Sequence, residues 1–102
     1  MRVIALKTLK QFWETHSGAA AGLSHWYDRN CKANYQNPAE VVADFKGADY
    51  VGNTRIVFNI SQNKYRLIAA FRYDKQLCWI IFIGKHTDYD AIDAATVEHS
   101  TD

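Results

Sequence analysis

Three residues in the second half of this 102-residue chain, Arg66, His86 and Tyr89, have types and spacing suited to chemistry at phosphorus. An arginine offers planar, bidentate recognition of phosphate and stabilises charge developing on it. His86 alone of the four histidines ends an apolar run, "LCWIIFIG" (Leu77 to Gly84). An imidazole there can give or accept a proton near neutral pH. Tyr89 can stack on a nucleobase or hold a water or hydroxyl. Arg66 and Arg72 share a strand face, Arg55 lies on the neighbouring strand, and Lys64 and Lys85 add two more cations. Each feature also has a plainer explanation. The arginines could be a solvated sheet face paired with acids, and Tyr89 an aromatic lid over the sheet edge. "HTDYD" could be no more than a helix start, with Thr87 as N-cap and Asp88 and Asp90 complementing the positive helix end. Orientation of His86 by one of these aspartates is open, but the dipole explanation is simpler. His16, His25 and His99 fall on helix faces or in the tail, where solvent or capping roles are expected.

No Ser/His/Asp pattern, glycine-rich phosphate loop or paired-carboxylate spacing stands out. An enzyme built on these residues would position a nucleophile that the substrate brings, and RNA brings a 2′-hydroxyl. The histidines are too scattered for a metal site, so no metal and no cofactor is expected.

These side chains need a scaffold to position them. "RVIAL" (Arg2 to Leu6) is short and β-branched, as an opening strand would be. Leu9, Phe12, Trp13 and His16 then follow helical spacing up to Ser17-Gly18, and Leu23, Trp26, Tyr27, Asn30 and Cys31 repeat it within Ala19 to Asn34. In "NPAE", Asn37 suits an N-cap, Pro38 the first helical position, and Glu40 can reach back to the cap amide. Val41, Val42 and Phe45 face the core, and Gly47 ends a helix of barely two turns. Beyond Asp49 the period becomes two: Ile56, Phe58 and Ile60 oppose Arg55, Asn59 and Ser61. "SQNK" connects this strand to "YRLIAAFRY", and "DKQ" turns the chain into "LCWIIFIG", whose two apolar faces mark a central strand. A closing helix is expected within Asp88 to Thr96, and residues 97–102 should fray. Helices followed by an antiparallel meander indicate an α+β fold with the helices on one face. The other face would then carry Arg55, Asn59, Arg66 and Arg72 as a cationic platform.

The length suits one domain, residues 1–102, with one core in which Trp13, Trp26 and Trp79 can take part. Cys31 and Cys78 fit no metal or redox spacing and are expected to be buried free thiols in a reducing compartment. No apolar run spans a bilayer and no export signal is visible, so a cytoplasmic location is the default. The net charge of +1 conceals a gradient: +2 over residues 1–48, +4 over residues 49–86 and −5 over residues 87–102. A basic middle followed by an acidic tail permits a polyanionic partner without demanding one.

The order of elements, with "NPAEVVADF", "VFNISQNKYRLIAAF" and "CWIIFIGKHTDYD", resembles the HigB toxins of bacterial toxin–antitoxin systems, which are RelE-like ribonucleases. The resemblance covers about Ala5 to Asp90, and its shared element, loosely T/K-H-x-x-Y-D, is complete here. It implies metal-independent cleavage of mRNA, typically in the ribosomal A site, by attack of the 2′-oxygen on the adjacent phosphorus. It implies Arg66 as the arginine that stabilises the phosphorane, His86 as a basic or acid–base residue, and Tyr89 as the aromatic that stacks on or activates the substrate. Lys64, Lys85 and Arg55 would hold phosphates, with Arg72 beside them. The expected partners are a helix-turn-helix, HigA-like antitoxin, the ribosome and mRNA, with operator DNA engaged only through the antitoxin complex and no membrane. Two features depart from the family: Asn59 and Ser61 stand where relatives often carry lysine, and the chain is far from strongly basic. The alternative is a non-catalytic RNA- or protein-binding module using the same cationic face, which would need the arginines but not His86 with Tyr89.

Overall fold

In a computed structural model, which describes residues 1–98, helices pack on one face of a five-stranded sheet. The chain runs β1 (Arg2–Ile4), α1 (Leu6–Thr15), a single 3-10 turn (Ser17–Ala19), α2 (Ala20–Lys32) and α3 (Pro38–Asp44). It continues through β2 (Asp49–Gly52), β3 (Arg55–Ile60), β4 (Tyr65–Arg72) and β5 (Leu77–Lys85) to α4 (His86–Asp90). Among the described residues no helix is long and apolar enough to cross a membrane.

The strand order is β1-β5-β4-β3-β2, with β2 to β5 an antiparallel meander and β1 parallel to β5. The parallel edge departs from the antiparallel expectation. It arises because α1 and α2 lead the chain away from β1 before the meander begins, leaving that strand free to pair with β5. Strand β2 has no counterpart in the sequence reading: "DYVG" is too short for a visible alternation, and its tyrosine is exposed. It exists because β3 offers it an edge.

The main core lies between the helices and one sheet face, where Leu9, Leu23, Trp26, Val41, Phe58 and Phe71 are all essentially inaccessible. The three-and-four spacing of α1 and α2 produces this apolar face, as expected. Trp13 packs against it only partly buried. Cys78 is buried but Cys31 is exposed, correcting the expectation for the latter. On the last turn of α2 it is Asn30, one residue earlier, that turns inward, donating to the Trp26 carbonyl at 2.9 Å. The cap of α3 forms as expected on Asn37, whose side chain accepts from the Glu40 amide at 3.0 Å. The Glu40 carboxylate reaches one residue further back, to the Gln36 amide.

The opposite face is also covered, which the sequence did not indicate. Val57, Ile68, Ala70 and Ile81 form a second, smaller core with Ala94, and Ile92 and Val97 pack onto it. The expected closing helix is therefore only the five residues of α4, after which the chain crosses this face as turns. Val97, expected to fray, packs onto the second core and is held by its amide on the Asp93 carbonyl at 2.8 Å. Residues 99–102, His99 among them, lie outside the described residues.

Candidate active site

Two irregularities in the sheet set the geometry at the end of β5. The first is a register shift between β4 and β5: Ile68 pairs with Phe82 while Ala69 pairs with Ile80, leaving Ile81 as an extra residue. A β-bulge of this kind re-aims every side chain beyond it. Before the bulge, Cys78 and Ile80 face the helices. After it, Ile83 and Lys85 do, and Gly84 joins the face opposite, level with Arg66. The double apolar face of "LCWIIFIG" is thus a bulged strand covered on both sides. The second irregularity is the turn from β3 to β4, where Ser61, Gln62 and Asn63 all have positive φ (54°, 57° and 73°) without a glycine. The turn closes the hairpin so that Lys64 abuts the start of α4, and the His86 amide donates to the Lys64 carbonyl at 3.3 Å.

A side chain at Gly84 would have to displace the Phe82 ring. A Cβ there would lie 2.7 Å from Cζ of Phe82 and 3.4 Å from Cβ of Asp88. The N-cap of α4 is Lys85 rather than the expected Thr87, because the backbone stays extended through residue 85 (φ −70°, ψ 161°). Asp88 reaches back to the Lys85 amide at 3.3 Å, the reciprocal half of a capping box.

On this scaffold Arg66, His86 and Tyr89 meet. Nη2 of Arg66 lies 2.8 Å from Nε2 of His86, and the Arg66 guanidinium carbon sits 5.5 Å from the centre of the Tyr89 ring. Nε of Arg66 is buried without a partner among the described residues. The other imidazole nitrogen, Nδ1, lies 3.2 Å from Oδ2 of Asp90, one helical turn on. Guanidinium nitrogens only donate, so Nε2 is the acceptor of the Arg66 bond. In a neutral ring the proton then sits on Nδ1, which donates to Asp90. A shallow pocket of about 310 Å³ opens beside His86, lined by Lys64, Tyr65, Lys85, His86 and Thr87. Lys64 and Lys85 are exposed and form no ion pair with any described residue.

Arg55 and Arg72 do not join this group, and the continuous cationic platform does not form. Arg72 sits at the far end of β4, in register with Leu77, and pairs with Asp74 at 3.2 Å. Arg55 is half-buried, its Nη1 donating to the carbonyl of Ala94 at 3.2 Å and to that of Val97. The C-terminal segment occupies the face on which the arginines were expected to line up. Asn59, placed on the same face by its alternation, donates weakly to the Gly47 carbonyl at 3.4 Å.

Of the two aspartates left open as partners of His86, Asp90 is the one that meets the ring, and Tyr65, which lines the pocket, is the neighbour that sequence reasoning missed. Tyr65 shares a face with Leu67 and so looked like core, but it is the last residue on that face and the helices only half cover it. Its ring meets those of Phe12 (5.5 Å) and His16 (6.1 Å) edge-on, and His16 itself stacks on Phe12. The signal available was its position between Lys64 and Arg66. His25 is exposed on α2.

Comparison with known proteins agrees with the fold. A protein-family model, HigB_toxin, described as the RelE-like toxic component of a toxin–antitoxin system, matches residues 19–92. No curated protein matches the chain. The matched span runs from the 3-10 turn to just past α4 and includes Arg66, His86 and Tyr89.

Proposed function

The chain belongs to the HigB toxins, RelE-like toxic components of toxin–antitoxin systems, and on that premise we propose that it is a metal-independent endoribonuclease that cleaves mRNA on the ribosome. The observation that carries this reading is the Arg66–His86 contact of 2.8 Å beneath the Tyr89 ring. In the resting protein the guanidinium occupies the one acceptor nitrogen of the imidazole. A phosphodiester entering beside it offers Arg66 charged oxygens, which are stronger acceptors than imidazole. Arg66 then turns to the phosphate and releases Nε2 next to the 2′-hydroxyl. Nε2 takes that proton, the 2′-oxygen attacks the adjacent phosphorus, and Arg66 stabilises the charge that grows on the equatorial oxygens. The bond to the 5′-oxygen breaks, leaving a 2′,3′-cyclic phosphate. The departing oxygen takes a proton from Tyr89, Lys85 or solvent to become a free 5′-hydroxyl. Lys64 and Lys85 hold neighbouring phosphates, and Tyr89 stacks on a base.

The partners that follow are the ribosome with its mRNA and a cognate antitoxin, expected to be a helix-turn-helix protein that carries the complex to operator DNA. Primer extension on a translated transcript, with and without ribosomes, tests the enzyme reading. Cleavage only with ribosomes is expected, with Arg66→Ala lowering it about 10²–10³-fold and His86→Ala about 10²–10⁴-fold. No cleavage in either case would favour a binding module, and wild-type rates in both variants would remove these residues from the mechanism.

A further inference from the structure

We propose that Asp90 is a positioning residue that holds His86 in the Nδ1-protonated tautomer, keeping Nε2 as the basic nitrogen that faces Arg66 and the substrate. The inference rests on the proposed role of His86 for its catalytic consequence, but its structural half stands independently. Two contacts on opposite sides of one ring carry it: Arg66 Nη2 at 2.8 Å from Nε2, and Asp90 Oδ2 at 3.2 Å from Nδ1. An obligate donor on one nitrogen and an acceptor on the other select the same tautomer. The other tautomer would set N–H against guanidinium N–H and a lone pair against a carboxylate, and a flipped ring would put C–H groups at both positions and lose both contacts.

The helix makes this arrangement geometrically natural. Residues 86 and 90 are four apart, so their side chains meet on one face of α4. That alignment exists only because the helix begins at His86. With Thr87 as the cap, His86 would lie outside the helix and the spacing would mean nothing. Asp88, three residues from the cap, is occupied with the Lys85 amide, leaving Asp90 as the carboxylate on the ring. The other charged groups on the elements around His86 are Arg66 from β4, Lys64 from the turn and Lys85 at the end of β5. All three are cations, so among the described residues Asp90 supplies the one carboxylate on the ring that favours Nδ1–H.

Both side chains of the pair are partly open to solvent, 42% for His86 and 60% for Asp90, which limits the size of the effect. An exposed pair of this kind contributes at most about 1 kcal/mol, which is about fivefold in rate. Asp90→Ala should therefore slow single-turnover cleavage up to about fivefold. Asp90→Asn, whose amide oxygen can still accept from Nδ1, should stay within about twofold. In a His86→Ala background, Asp90→Ala should have no further effect, since a residue acting through the imidazole has nothing left to act on. The decisive readout is ¹⁵N NMR of the imidazole nitrogens in the full chain, which reports the tautomer whether or not RNA is cut. His86 is expected as Nδ1–H in the parent and in Asp90→Asn, and as a tautomer mixture in Asp90→Ala. An Nε2–H ring in the parent, or a ring unchanged in Asp90→Ala, would overturn the inference. So would an equal loss of cleavage from Asp90→Ala with and without His86. If His86→Ala alone cleaves normally, the enzymatic reading fails, and the NMR result decides the positioning claim separately.

Discussion

Replacing Arg55 by alanine separates what this residue does in the fold from what its charge suggested. Its Nη1 bridges the carbonyls of Ala94 and Val97, roughly forty residues away in sequence, and so pins the C-terminal segment to the sheet. A hydrogen bond from a charged donor contributes about 1.5–3 kcal/mol. Both acceptors share one nitrogen and the side chain is half-buried, so they count as one such bond, and the expected loss is about 2 kcal/mol. For a domain near 100 residues that lowers Tm by about 10 °C. Thermal unfolding measures this directly. Hydrogen exchange should localise it, with the Val97 amide, bonded to Asp93, losing protection first. Arg55 pairs with Ala70, four residues along β4 from Arg66, or about 13 Å. Below its melting temperature the variant should therefore cleave RNA at the parent rate. A Tm within about 2 °C of the parent, combined with a tenfold loss of cleavage, would refute this account and return Arg55 to the phosphate-binding role expected from sequence.

Two further predictions concern pH and buried hydroxyls. The carboxyl of Asp44 is held below its ordinary value by hydrogen bonds from Arg29 and then from Tyr35. A depressed folded value means its stabilisation is complete above the ordinary carboxylate range and is lost as pH falls through the folded value. Denaturant titrations from pH 6 to pH 2 should show that loss, and Asp44→Asn should flatten the acid limb; an identical limb in the variant would contradict it. The Tyr73 hydroxyl is buried without a described partner, and burial raises its pKa to about 12. A raised folded value means stability is complete below the ordinary tyrosine value and falls as pH rises toward 12. Tyr73→Phe removes an unsatisfied group, so stability at pH 7 should hold or rise by up to about 1 kcal/mol, with less alkaline loss. Destabilisation by more than that would reveal a hydrogen bond to the hydroxyl.

Much of the scaffold was legible because its signals are local. The Asn37 cap with Pro38, the three-and-four spacing through Leu23 and Trp26, and the alternation of Ile56, Phe58 and Ile60 each report a backbone state that neighbouring residues impose. The types of Arg66, His86 and Tyr89 likewise state what chemistry they can perform.

What the chain alone could not express is which distant segments satisfy one another. Parallel pairing of β1 with β5, the strand β2, and the C-terminal segment laid over the second sheet face all depend on surfaces that exist only once the meander has formed. That segment explains why Arg55 spends its charge on backbone carbonyls, and why the platform of arginines breaks up. The bulge at Ile81 is equally silent in sequence, since an apolar run looks the same in register or one residue out. Yet it decides which way Gly84 and Lys85 point. The start of α4 then decides that His86 and Asp90 share a helix face with Arg66 across the ring. Residue type determined the chemistry available, and long-range packing determined which nitrogen of His86 meets Arg66 and which meets Asp90.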